Sequence, residues 1–225
     1  LQIEPDLSQS WSNKGNVFLI LKRYQKALDC YDKALQIEPD LSQSWSNKGN
    51  VFLILKRYQK ALDCYDKALQ IEPDLSQSWS NKGNVFRDLQ RYKEAIDSYD
   101  RALQLTNNQD WITWANRAIV ISFIDGYEAE IQNYNNGLQA LQTDTPEYHE
   151  GYGCLHWQKG KAQYRHGKEQ QNCLPYWRNA KRCYQQALKF LTAPHLLEQR
   201  LEVLQDLIQV YRALNQTQDV QVLLA

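Results

Sequence analysis

The chain has 225 residues, enough for one or two ordinary domains, and its nine glycines and six prolines are few for that length, which predicts a helix-rich protein. Formal charges balance at 26 of each sign, so there is no global field to recruit nucleic acid or an anionic membrane, and any electrostatic recognition has to be local. No apolar run approaches the roughly eighteen residues of a membrane-spanning helix, and no basic segment followed by an apolar stretch opens the chain.

Cysteine usage points the same way. Five is an odd number, and Cys30 and Cys64 are copies of each other within a duplicated unit, which is not how a disulfide framework is built. A reducing, cytoplasmic setting is the expectation. The chain begins at Leu1 without a methionine, and it is read as a piece of a longer protein with further copies of its repeat toward the amino end.

Residues 1–52 are identical, letter for letter, to residues 35–86, a period of 34. Residues 1–7 are expected to be the tail of a preceding copy. Each copy then holds two amphipathic segments. SQSWSNKGNVFLIL sets Trp11, Gly15 and Phe18 on one helical face, and YQKALDCYDKALQI does the same with Ala27, Tyr31 and Ala34. This predicts a helical hairpin in residues 8–41 and another in 42–75. Pro39 is expected to stop the second helix, with Asp40 and Gln43 capping the next first helix.

A third hairpin, residues 76–110, uses Trp79, Gly83, Phe86, Ala95, Tyr99 and Ala102, with Asn107 and Asn108 where the closing proline stood. A divergent fourth, residues 111–146, carries Trp114, Ala118, Ile121, Tyr127, Glu130, Tyr134 and Gly137. In residues 147–194, Gly160, Ala180, Tyr184 and Ala187 fit a fifth hairpin, and the stretch HGKEQQNCLPYW predicts an inner turn about eight residues longer than the pattern. Residues 195–225 place Leu201, Leu204, Leu207, Ile208, Tyr211 and Leu214 at helical spacing, followed by a short helix around Asp219 to Leu224, as a capping hairpin would.

The run W-x3-G-x2-F-x8-A-x3-Y-x2-A-x4-P at a period of 34 resembles the tetratricopeptide repeat. That resemblance implies an all-α fold, a right-handed α-solenoid of stacked helix-turn-helix hairpins. It implies a protein-binding scaffold that is not an enzyme and needs no cofactor. Lys14, where the family usually has an apolar residue, and Lys22, where it often has glycine, are departures that predict a snorkelling side chain and a slightly strained turn.

In the resembled family the first helices of successive hairpins line a concave groove, with positions 2, 5, 6, 9, 12 and 13 of each repeat toward the ligand. On that count Asn13, Asn47, Asn81 and Asn116 recur at position six, and Asn16, Asn50 and Asn84 at position nine. Such a ladder of carboxamides either grips the backbone of an extended peptide or ties neighbouring helices together. Leu19, Ile20, Leu53 and Ile54 fall at positions twelve and thirteen as an apolar stripe, either open to a partner or covered by neighbouring helices, while the third copy has Arg87 and Asp88 there.

The family's clamp for acidic chaperone tails needs cations that this chain lacks. Ser12, Asn16, Asn47, Gln77 and Asn81 stand at those places, so strong binding of a dicarboxylate tail is not expected.

Charge is unevenly spread along the second half. From Ala118 to Gln158 there is no lysine or arginine, and then Lys159, Lys161, Arg165, Lys168, Arg178, Lys181, Arg182 and Lys189 follow among aromatic residues. Nucleic acid is a minor reading of that pattern, because such charges usually form a solvated face. With Gly160 at position eight, Trp157, Lys161 and Arg165 become candidate partner contacts.

The cluster His149, Cys154, His156, His166, Cys173 and Cys183 is the material for a metal or catalytic alternative, but its spacing is irregular and no metal is assigned. The expected partner is a protein or peptide segment, with self-association through repeat stacking as the alternative and no membrane.

Overall fold

The computed structural model describes residues 5–141 and 146–216, and among them eleven α-helices and one short 3-10 turn account for the regular structure. The fold is all-α, with helices paired as hairpins. It divides into two compact units, Leu1–Leu105 and Thr106–Ala225. None of the described helices is long and apolar enough to cross a membrane.

The first unit consists of α1 (Pro5–Ile20), α2 (Tyr24–Ile37), α3 (Ser42–Ile54), α4 (Tyr58–Ile71), α5 (Ser76–Asp88) and α6 (Tyr92–Leu105). Each odd helix packs on the even helix that follows it, each even helix meets the next odd one, and α1, α3 and α5 also touch in succession. A buried tyrosine explains the pairing. Tyr31, Tyr65 and Tyr99 are fully enclosed, and each ring lies where a side chain on Gly15, Gly49 or Gly83 would have to go: a Cβ on Gly49 would stand 2.7 Å from the Tyr65 ring. Glycine is therefore the notch that seats the aromatic ring. Ala27, Ala34, Ala61, Ala68, Ala95 and Ala102, all with no exposed surface, let the flanking helices close around it.

The turns are made by backbone and tryptophan rather than by the expected caps. Asp40 and Gln43 do not cap α3: its N-cap position is Leu41, without a side-chain bond, and Ser44 and Trp45 return their N–H groups to the Leu41 carbonyl. The indole N–H of Trp45 donates to the Pro39 carbonyl at 2.8 Å, and Trp79 does the same to Pro73 at 2.9 Å. Proline thus ends the helix while its free carbonyl is held by the next hairpin's signature tryptophan.

Lys22, Lys56 and Gln90 adopt φ of 56°, 56° and 59°, the left-handed conformation in which a family glycine would be at ease, so the strain expected at Lys22 is present in all three inner turns. Lys14 lies over the Trp11 ring at 4.8 Å. Its counterparts go further: Lys48 and Lys82 each reach an aspartate on the preceding hairpin, Asp32 and Asp66, at 2.6 Å. In the first copy α1 runs from Pro5 to Ile20.

The second unit holds α7 (Trp111–Ile124), α8 (Gly126–Ala140), α9 (Pro146–Glu169), α10 (Leu174–Phe190) and, after the 3-10 turn Pro194–Leu196, α11 (Leu197–Ala213). Asp110 caps α7 by accepting from Ile112 N and Thr113 N at 3.0 and 3.2 Å. Asn107 and Asn108, in the turn before it, take φ of 50° and 64°, which asparagine tolerates better than most residues.

The long inner turn expected in the fifth hairpin is absent. The extra residues lengthen α9 to 24 residues, and only 170–173 separate it from α10. The core there joins Trp157, Tyr184 and Ala187 with Leu191, Val203, Leu207 and Val210, so α11 covers the α9–α10 hairpin. The second helix expected around Asp219 to Leu224 lies outside the described residues.

Glu130 marks how the fourth hairpin diverged. It occupies the place of Ala27, Ala61 and Ala95 and is 2 % exposed, its carboxylate meeting the Arg165 guanidinium at 2.7 Å. Burial pushes this carboxyl above the ordinary range, and the attraction of Arg165 offsets only part of that shift.

Two outcomes are expected. Gly49→Ala relieves a helix-propensity penalty of about 1 kcal/mol but drives a methyl into the enclosed Tyr65 ring, an overpacking cost that reaches about 3 kcal/mol; the clash dominates, and the urea midpoint falls. At Glu130 the folded chain holds its proton more tightly than the unfolded chain does, so this residue's contribution is favourable below an unfolded pKa of about 4.3 and is lost as pH rises through the higher folded value. Glu130→Gln removes that loss, and since Arg165 is largely exposed its unpairing costs little. Urea midpoints should show the variant gaining on the parent chain as pH rises above the ordinary carboxyl pKa of about 4.3.

Candidate peptide-binding face

The face shared by α1, α3 and α5 carries the carboxamide ladder, and its hydrogen bonds are specific. Asn16 Oδ1 accepts twice, from Tyr31 OH at 2.7 Å and from Asn47 Nδ2 at 3.0 Å. Asn50 Oδ1 repeats the arrangement with Tyr65 OH at 2.7 Å and Asn81 Nδ2 at 2.8 Å. Asn84 Oδ1 accepts from Tyr99 OH at 2.8 Å. Position nine therefore joins its own hairpin's tyrosine to position six of the next hairpin, and the ladder does tie neighbouring helices.

The position-six oxygens are engaged one helical turn back. Asn13, Asn47 and Asn81 accept from Gln9, Gln43 and Gln77 at 3.0, 3.2 and 3.2 Å. An amide oxygen has two acceptor sites, and Asn16 and Asn50 use both. What each of these two retains is an Nδ2 amino group, a donor. Below the ladder, buried Ser44 and Ser78 donate to Ser12 and Ser46 at 2.8 Å, so polar contacts between successive first helices are satisfied through the depth of the seam.

Beside the ladder the apolar stripe is uneven. Leu19 and Leu53 are half-buried, whereas Ile20 is 79 % and Ile54 50 % exposed. Val17 does not extend this stripe: its counterparts Val51 and Val85 are fully buried at the seam between successive hairpins. In the third copy Arg87 and Asp88 pair with one another at 2.9 Å and end the stripe.

The candidates of the second unit do not form a comparable face. Trp157 is a core residue, its indole N–H donating to Asp206 at 2.8 Å, because the position that would present it to a ligand is covered by α11. Lys161 is exposed and lies 4.2 Å over the Trp157 ring. Arg165 is committed to Glu130. Asn116 is half-buried on α7.

The histidines and cysteines are dispersed. His166 stacks on Tyr127 with ring centres 4.0 Å apart, His149 packs near Tyr148 and Phe190, and the buried Cys183 thiol donates to Gln163 at 3.2 Å. Burial pushes the Cys154 thiol up to about 12, so it is a poor thiolate at neutral pH. Among the described residues no three His, Cys, Asp or Glu side chains stand close enough to hold a metal ion.

Sequence reasoning did not single out the tyrosine hydroxyls or the glutamines that hold the ladder. Both signals were present: each tyrosine follows its position-nine asparagine by fifteen residues, and each glutamine precedes its position-six asparagine by four.

Comparison with known proteins fits this geometry. The sequence pattern of the tetratricopeptide repeat matches residues 8–41, 42–75 and 76–106. No curated protein matches the chain. Among solved structures, pilF of Pseudomonas aeruginosa is 14 % identical with a TM-score of 0.70, the match covering 97 % of this chain and 89 % of that one. YrrB, described as a TPR protein with an unusual peptide-binding site, is 20 % identical with a TM-score of 0.56, covering 80 % and 89 %. The first TPR of Spaghetti bound to an HSP90 peptide is 21 % identical with a TM-score of 0.52, covering 54 % and 95 %. At these identities the likeness speaks for the fold, while the repeat pattern, the tyrosine-in-glycine packing and the paired hairpins agree on one assignment for the first unit: residues 8–106 are three tetratricopeptide repeats.

Proposed function

We propose that the first unit binds an extended segment of a partner protein along the face of α1, α3 and α5. Tetratricopeptide repeats are generally modules of protein–protein interaction, and solved relatives of this fold include peptide-binding ones. The observation that carries the proposal is the saturation of the Asn16 and Asn50 oxygens by Tyr31, Asn47, Tyr65 and Asn81. It leaves the two asparagines with donors only, spaced one repeat apart, and the complement of a donor row is the carbonyl row of an extended backbone. Asn13, Asn47, Asn81 and Asn84 flank that row. Leu19, Ile20, Leu53 and Ile54 offer an adjoining apolar surface for alternate side chains of the segment. Recognition would then be loose in sequence at the backbone and selective for apolar residues beside it.

The test exploits the direction of the hydrogen bonds. In Asn16→Asp and Asn50→Asp one carboxylate oxygen still accepts from the tyrosine and from the neighbouring asparagine, so the seam is kept, while the outward donor becomes an acceptor. Peptides selected on an array of extended segments should bind each variant about tenfold more weakly, the worth of one hydrogen bond and its reversal, with an unchanged melting temperature. Ile20→Glu with Ile54→Glu should weaken the same peptides and change which side chains are preferred. Array binding indifferent to both asparagine changes sinks the proposal. Sedimentation at several concentrations covers the other occupant: a mass that grows with concentration and reverts in the isoleucine double variant assigns the stripe to a second copy of the chain.

A further inference from the structure

In the second unit a cavity of about 340 Å3 lies between α9 and α10, lined by His156, Lys159 and Gln163 from the first helix and Asn179, Arg182 and Gln186 from the second. Its lining contains two permanent cations, three side-chain amides and no carboxylate. Lys159 rests its ammonium on Asn135 Oδ1 at 2.6 Å, a neutral partner that leaves the charge uncompensated. Arg182 is exposed. Both ring nitrogens of His156 are shielded from solvent and have no hydrogen-bond partner, in a place where buried polar atoms are ordinarily satisfied. Gln163 is 5 % exposed and is held by the Cys183 thiol, so part of the wall is rigid.

We infer that this cavity binds a phosphate monoester, with Lys159 and Arg182 on the phosphoryl oxygens and the shielded imidazole of His156 close enough to sense the bound charge. Two full cations from facing helices, with amides around them, match a group of nearly two negative charges and three terminal oxygens better than a carboxylate of one charge and two oxygens. The volume admits one such group and the adjoining part of its carrier, but not a length of nucleic acid strand. The two carriers that present this chemistry are a phosphorylated side chain of a protein and a small phosphorylated molecule. The inference is independent of the peptide-binding face, which lies in the first unit.

His156 supplies the readout. Burial and the neighbouring Lys159 lower its pKa to about 4, so the ring is neutral at physiological pH. A bound dianion favours the charged ring and moves its titration upward. With only four histidines in the chain, the His156 resonance can be assigned by comparison with His156→Gln.

The full chain is titrated with inorganic phosphate, phenyl phosphate, a phosphoserine peptide and acetate while the histidine ring resonances are followed by NMR. A saturable shift of the His156 signal is expected with the phosphate probes and not with acetate. Arg182→Gln, at an exposed position, should fold normally and weaken the phosphate response at least about tenfold, the worth of a charge-assisted hydrogen bond; Lys159→Gln should do the same, and Lys189→Gln, outside the cavity, should leave it unchanged. Tighter binding of the phosphoserine peptide than of phenyl phosphate identifies a protein ligand, and equal binding identifies a small ester. Absence of a His156 response to all three phosphate probes, an equal response to acetate, or a response surviving Arg182→Gln would overturn the inference.

Discussion

A tyrosine ring seated on a glycine, with its hydroxyl on the next residue of the same helix, is the contact around which each hairpin of the first unit is organised. The ring fills the space that a side chain on Gly15, Gly49 or Gly83 would take, and it is fully enclosed. Enclosing an aromatic ring stabilises the pair, but it also buries a hydroxyl that has to be satisfied. Asn16, Asn50 and Asn84 accept that hydroxyl. Apolar packing and polar recognition are thereby coupled, because the residue that satisfies the core is the residue that reaches the next hairpin and faces the proposed ligand.

That coupling also orders the polar seam. Asn47 and Asn81 add their amino groups to oxygens already oriented by tyrosine, and the serine pairs and the Lys48–Asp32 and Lys82–Asp66 ion pairs repeat at the same interval. The second unit keeps the enclosed tyrosines but changes their surroundings. Glu130 stands where the small alanine stood, and its buried charge is met by Arg165 from another hairpin, a more costly solution than close apolar contact. Trp157 is turned into the core by α11, which closes this hairpin from the other side.

Much of the fold was legible because the repeat is strict. Identity between residues 1–52 and 35–86, with small and aromatic residues at helical spacing, determines the hairpins and which residues meet inside them. Where prediction failed, local signals competed with tertiary contacts. Asp40 and Gln43 look like a capping pair, yet the indole of Trp45 captures the turn carbonyl and the chain starts α3 at Ser42 without a side-chain cap. The polar stretch around Gln170 and Gln171 reads as a long turn, but α9 runs to Glu169 and α10 starts at Leu174. At the candidate face, residue types revealed a row of carboxamides but not its polarity. Whether an asparagine offers its oxygen or its amino group outward is decided by the partner fifteen residues away, and periodicity alone is silent on that.

The identity of the repeats has a consequence for how the chain finds its own order. The surface that α3 presents to α1 is chemically the surface that α5 presents to α3, down to Ser44 on Ser12 and Ser78 on Ser46. No side chain at those seams can tell a correct neighbour from one displaced by a full repeat. The discrimination falls to the connections: the four-residue links between hairpins, residues 38–41 and 72–75, are too short to let a hairpin skip a place. Between two separate molecules that tether is missing, so a helix pair exchanged from one chain to another would meet contacts indistinguishable from its own.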